Sequence, residues 1–211
     1  MSRYKLKLYE HRLLALREDG AACNEIVRKI PLMQRRRLNP AGRLAVGLAA
    51  DCISRHNGEI SKLVFASRCG EIPRCLRLIC SIFGHEDLSP AEFSASVHNA
   101  NSGIAAIITG FTGEVTSLAG GESTLLAALT EAYSSIEGEN ASRVLIVCYE
   151  EDIANQTLMS FPKECDFMGP FALGLLVGKS EKNEVGGTVE LDFDSLAGIS
   201  PFEFVKKLMP C

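Results

Sequence analysis

After Pro40 and Gly42, apolar residues recur at Leu44, Val46, Leu48, Cys52 and Ile53. This spacing predicts an amphipathic helix from Pro40 to about His56, stopped by Asn57-Gly58. The period then changes: the run KLVFAS, 62–67, reads as a short strand. Pro73 suits a helical first turn, and Leu76, Ile79, Cys80 and Phe83 follow at helical spacing, so a second helix is predicted over 73–83, ending at Gly84. The stretch 96–110, SVHNANSGIAAIITG, is apolar but built of small residues. It predicts a buried helix with close backbone packing, ended by Gly110.

EVTSL, 114–118, is the next strand, and STLLAALTEAYSSI, 123–136, is a helix with an apolar face. RVLIVCYEE, 143–151, is a continuous apolar, β-branched run of the kind found in a central strand covered on both faces. PFALGLLVGKS, 170–180, and GTVELDF, 187–193, read as two more strands around a turn at Asn183 to Gly187. SPFEFVKKLMPC, at the end, reads as a short helix without a legible role. Helices and strands alternate throughout, so the expected class is α/β with a layered sheet, 1–211 forming one domain. No internal repeat or low-complexity linker interrupts it.

With 211 residues and 46% hydrophobic content the chain can bury a real core. Its net charge of -4 argues against nucleic-acid binding, which needs a concentrated basic surface. Arg35-Arg36-Arg37 is the only dense basic cluster and reads as a solvated loop. No apolar run approaches the roughly 18 residues that span a bilayer, and Met1 to Glu10 is charged rather than signal-like, so a cytoplasmic protein without membrane contact is expected. Cys23, Cys52, Cys69, Cys75, Cys80, Cys148, Cys165 and Cys211 lie mostly in apolar stretches, with no CxxC pair and no ligand-spaced histidines. They read as reduced core residues, and no metal or other cofactor is expected.

The chemistry concentrates at residues 115–123. The strand residues Val115, Thr116, Ser117 and Leu118 lead through Ala119, Gly120 and Gly121 to Glu122 and Ser123 at the start of a helix. A strand-turn-helix elbow displays a nucleophile in many enzymes, yet a carboxylate is a poor nucleophile for acyl transfer. A phosphate cradle fares no better, because Glu122 would repel the anion and no P-loop Lys-Ser/Thr follows. Glu122 then has two readings: a first-turn carboxylate that merely stabilises the helix, or a residue that shapes a site. His98 reads first as a histidine satisfied by hydrogen bonds, and second as the partner of a cysteine in a Cys-His enzyme.

In order and without gaps from Ser94 to the elbow, Asn99, Gly103, Gly110, Gly113 and the Ala119 to Ser123 turn resemble the N-terminal half of the β-ketoacyl-acyl-carrier-protein synthases of the thiolase fold. The similarity runs from about Pro31 through RLNPAGRLAVGLAADCI and VFASRCGE to LGLLVGKS, roughly 150 residues. In that family the elbow is of the type TACxSG, and Glu122 falls on its cysteine. The resemblance implies two further departures. The two histidines and the lysine of the family's C-terminal half have no counterpart here, and its glycine-rich GEGAG loop is interrupted by Pro170, Phe171 and Leu173.

Loss of the cysteine resembles the chain-length factors of type II polyketide synthases, and a half-length version resembles the small ketosynthase-like subunits of aryl polyene pathways. What this implies is a non-catalytic subunit that pairs with a full-length ketosynthase carrying Cys-His-His and helps to shape its acyl tunnel, with acyl carrier protein engaged through the complex. Val115, Thr116, Ser117, Leu118, His98, Asn99 and Phe171 are then tunnel or interface candidates. A stand-alone acyltransferase or hydrolase, or a malonyl decarboxylase-type subunit using Glu122, is the alternative. The segment 99–109 and the elbow helix are too apolar to face water on every side, and strand 115–118 would be a sheet edge, so a covering partner is expected.

Overall fold

The computed structural model describes residues 4–16, 19–56, 58–138, 141–151, 169–179, 188–191 and 196–208. Its elements are β1 (Tyr4–Ala15), α1 (Gly20–Arg28), α2 (Leu32–Arg35), α3 (Pro40–Arg55), β2 (Lys62–Ala66), α4 (Ile72–Phe83), α5 (Pro90–Ser94), α6 (Ala100–Thr109), β3 (Glu114–Leu118), α7 (Thr124–Gly138), β4 (Arg143–Glu150), β5 (Phe171–Lys179), β6 (Thr188–Leu191) and α8 (Pro201–Leu208). A one-turn 3₁₀ helix, Gly121–Ser123, precedes α7.

The strands form one six-stranded sheet in the order β3-β2-β4-β5-β1-β6. β2 pairs in parallel with β3 and β4, and the remaining pairs are antiparallel. β4 alternates as a central strand must: Leu145, Val147 and Tyr149 enter a core shared with α1, α3 and α6, while Val144, Ile146 and Cys148 enter a second core with α7 and α8. α3 begins where expected because Asn39 caps it, its Oδ1 accepting from Gly42 N–H at 2.6 Å, with Pro40 in the first turn. His56 is its C-cap residue. α4 also matches its predicted span to within a residue.

Four differences from the sequence reading are informative. Tyr4–Ala15, read only for its charge, is a strand. Its alternating Lys and Leu residues carry a period of two, and Leu6 is fully buried in the second core. That strand lies between β5 and β6, so the two segments expected around one turn do not pair with each other. The turn itself, 183–187, lies outside the described residues. α6 starts at Ala100 rather than Ser96, with Asn99 in the cap position, and ends as expected at Gly110, whose φ of 64° supplies the left-handed stop. Finally, the elbow helix is not an exposed apolar element: Leu125, Ala128, Leu129, Ala132 and Ile136 are buried with Leu196, Ile199, Phe204 and Val205 of the C-terminal segment.

Other apolar residues are left in water. Ile107 on α6 is 73% exposed, and Ile79, Ile82, Phe83 and Phe93 on α4 and α5 are exposed too. Among the described residues β3 has only β2 beside it, so its outer edge is unpaired. No helix among those residues is long and apolar enough to cross a membrane.

Candidate functional site

β3 delivers the chain to the elbow, and a hydroxyl closes the turn. Gly120 N–H donates to Thr124 Oγ1 at 3.0 Å, Thr124 Oγ1 donates to Gly121 O at 2.7 Å, and Ser123 N–H donates to Gly120 O at 3.0 Å. Gly121 has φ +58°, a left-handed conformation that favours glycine. The sequence suggests a tight turn with little room for a branched side chain at Gly121, but a Cβ there meets nothing within 4 Å. Space is short at Gly120 instead, where a Cβ would stand 3.0 Å from Ala127 Cβ.

Glu122 belongs to the 3₁₀ turn, two residues before α7, and is not the first residue of the α-helix. Its side chain is 66% exposed, with Oε1 3.9 Å from Arg68 Nη2. It stands at the rim of a cavity of about 280 Å³ that is also bordered by Arg68, Leu125, Cys148, Glu150, Phe171 and Phe202. Phe171 and Phe202 meet edge to face at 5.0 Å, so the segment before and within α8, without a role in the sequence reading, closes one side of this cavity. Cys148 opens onto the cavity but is buried, and burial pushes its thiol far above the ordinary range. It is no thiolate.

Glu150, which the sequence reading did not single out, is the titratable group most shaped by this site. Its carboxylate ends β4 and accepts from Ser67 Oγ at 3.1 Å, from Cys69 N–H at 3.1 Å and from Arg68 N–H. Burial raises its pKa to about 7 despite the lowering effect of these donors. The signal available in sequence was a pair of glutamates closing the apolar run 144–149, at the carboxyl end of a strand, the end where open α/β sheets place ligands.

The remaining candidates divide by the strand's period of two. Val115 and Ser117 face α6 and, with His98, Asn99, Ser102, Gly103 and Ala106, line an open groove of about 510 Å³. Ser117 Oγ and Ser102 Oγ are 2.8 Å apart. Thr116 and Leu118 face α7: Thr116 Oγ1 donates to Glu131 Oε1 at 3.5 Å, and Leu118 packs on the second core. His98 Nε2 lies 2.9 Å from Ser67 O, the hydrogen-bonded placement expected of it, and it does not border the cavity of Glu122 and Cys148. The structure therefore brings Glu122 and Phe171 together, and separately His98, Asn99, Val115 and Ser117. Asn99 lies at the groove, while the polar network beside it is held by Asn101, whose Nδ2 donates to buried Glu71 at 3.1 Å.

The β-ketoacyl synthase N-terminal domain matches residues 13–195, most of the chain. The chain belongs to this family. No curated protein matches it. Among solved structures, a ketosynthase in complex with its chain length factor from Xenorhabdus doucetiae contains a chain 24% identical to this one, with a TM-score of 0.73, covering 84% of this chain and 80% of that one. The ishigamide ketosynthase/chain length factor gives 18% identity and a TM-score of 0.59, covering 75% of this chain and 49% of that one. A β-ketoacyl synthase from Burkholderia phymatum gives 14%, a TM-score of 0.52, and coverage of 71% and 44%. The first matched chain is thus close to this one in length, whereas this chain spans about half of the other two. These likenesses establish the thiolase-like fold of a ketosynthase N-terminal domain. In this β-ketoacyl synthase domain, the turn between β3 and α7 carries Glu122 at the rim of the cavity.

Proposed function

We propose that this chain is a non-catalytic, chain-length-factor-like subunit, a single half-fold domain that pairs with a full-length ketosynthase carrying Cys-His-His and helps to shape its acyl tunnel. Acyl carrier protein engages it through the complex, and the setting is chain elongation of the aryl polyene type in the cytoplasm. The observation that carries this reading is the elbow itself: a turn that presents a side chain at a cavity mouth presents an exposed carboxylate, Glu122. A carboxylate cannot store an acyl chain as a thioester, and the cysteine that shares the cavity is buried and protonated.

Two surface features support the pairing. Among the described residues β3 has an open edge, and Ile107, Val97 and Val115 are exposed around the α6 groove. Both are liabilities in isolation and assets in an interface. The solved complexes of a ketosynthase with a chain length factor supply the precedent for such a pair. A stand-alone acyltransferase or hydrolase fits less well, because His98 lies in the groove and not beside Cys148 or Glu122.

Co-expression with a candidate ketosynthase tests the proposal. The expected result is a 1:1 complex that forms product from malonyl-loaded carrier protein, with no acyl adduct on this chain by intact mass. Glu122→Gln leaves assembly and product formation unchanged. A covalent acyl adduct on this chain would sink the reading. So would a loss of about hundredfold in Glu122→Gln with assembly intact, the size expected of a general acid or base, which would make Glu122 a participant in the decarboxylative chemistry.

A further inference from the structure

Away from the elbow, Glu10, Cys52 and His56 come together with one ligand atom from each within 4.8 Å of the others. Cys52 and His56 stand four residues apart on the last turn of α3, hence on one face. The carbonyl end of a helix dipole also favours a cation there. Glu10 reaches them through a β-bulge. Leu6 and Leu8 face the second core, and strict alternation would send Glu10 the same way. The register shifts between Leu8 and Glu10, however, leaving Tyr9 as the extra residue. Beyond the shift Arg12 and Leu14 turn to the α3 side, Arg12 toward Asp51 and Leu14 into the first core, and Glu10 turns with them to meet Arg55 and His56. Bulges re-aim side chains in this way.

The histidine is held as a metal-ligating histidine is held. His56 Nε2 lies 3.0 Å from Glu10 Oε2, while Nδ1 lies 3.4 Å from Glu59 Oε2, and Glu59 is itself paired with Arg143. With a metal ion on Nε2, the carboxylate behind the far ring nitrogen would hold the ring proton on Nδ1, as such outer carboxylates do for ligating histidines.

We propose that Glu10, Cys52 and His56 form a binding site for a zinc-type divalent transition metal ion, with water as the fourth ligand, clipping β1 to the end of α3. Sulfur and imidazole donors beside one carboxylate select zinc over magnesium or calcium, which take oxygen shells. Binding replaces the Cys52 thiol proton, which leaves to solvent, and forms one bond each to sulfur, nitrogen and oxygen without any redox change. The Glu10 to Arg55 pair opens, and Arg55 keeps Asp51, with Nη2 2.9 Å and Nε 3.2 Å from Oδ2. Bound thiolate and carboxylate together neutralise the ion. The spacing along the chain shows no such set because the third ligand, Glu10, lies on β1, some forty residues before the end of α3.

The full chain, stripped by a chelator, is titrated with cobalt(II) and then with zinc(II). One equivalent of cobalt should give thiolate-to-metal charge-transfer absorption in the near ultraviolet, and zinc should displace it. His56→Ala, at the half-exposed end of the helix, and Cys52→Ser each weaken zinc binding by at least about a hundredfold, and Glu59→Gln by about tenfold. Zinc raises the melting temperature of the native chain and leaves that of His56→Ala unchanged. Cys80→Ser, which removes an exposed thiol, behaves as the native chain. Absence of the charge-transfer band, undiminished affinity in His56→Ala, or loss of binding in Cys80→Ser would each overturn the site.

Discussion

Glu150 carries a stability signal that can be read by titration. Its carboxyl titrates at about 7 in the folded chain, raised first by burial, against 4.5 for an unperturbed glutamate. A raised folded value means that the group contributes stability below pH 4.5 and that this contribution is lost as pH rises through 7. The full swing is on the order of 3 kcal/mol. Thermal melts of the native chain and Glu150→Gln from pH 4.5 to 8 should therefore converge at the acid end and separate above, the native chain melting lower. Parallel curves would show that Glu150 does not titrate in this window. The same residue sets the floor of the cavity at whose mouth Glu122 stands, so the two carboxylates, one buried and one 66% exposed, answer to different environments within one site.

At the scale of the element, the elbow depends on backbone conformation at one glycine and on space at its neighbour. An L-residue in the left-handed region costs about 1–2 kcal/mol, less for asparagine. Gly121→Leu should accordingly lower the melting temperature by about 2–4 °C for each kcal/mol lost, and Gly121→Asn by less, since nothing crowds a Cβ at that position. Gly120→Ala should destabilise for the other reason, because Ala127 Cβ at 3.0 Å and Ser123 O at 3.2 Å would have to move. Equal effects of Gly121→Leu and Gly121→Asn would point to crowding after all. Thr124 ties the two glycines together, so Thr124→Val should loosen the turn by leaving Gly120 N–H without its 3.0 Å acceptor.

At the scale of the molecule, the apolar exposure is uneven. The second core is closed by the chain's own C-terminal segment, whereas the outer face of α6 around Ile107 and the outer edge of β3 are not covered by any described residue. Expressed alone, the chain should aggregate or self-associate. With the proposed ketosynthase partner it should form an interface larger than the standard ~1,600 Å². Ile107→Lys puts a charge where the side chain is already 73% exposed, so folding should be unaffected while association weakens by about tenfold or more. The readout is the pair of a thermal melt and a pull-down titration. A compact, well-behaved monomer whose partner affinity ignores Ile107→Lys would remove the case for this face.

Much of the fold was legible in the chain because local periodicity reports burial directly. The stretches 63–66 and 144–149 carry apolar side chains at consecutive positions because both faces of their strands are covered. Asn39 and Pro40 mark the start of α3, and Gly110 marks the end of α6, through capping chemistry that acts within a few residues. The elbow was legible too, as a glycine pair between a strand and a helix. What the chain alone could not decide is whatever depends on sheet order and on contacts distant in sequence. That β1 lies between β5 and β6, that α8 closes the elbow cavity, that Glu150 is buried under the Ser67 to Cys69 loop, and that the Tyr9 bulge turns Glu10 toward Cys52 and His56 all join residues tens of positions apart. Residue spacing along the chain carries no record of such meetings, because they are settled by which surfaces bury each other once the sheet has closed.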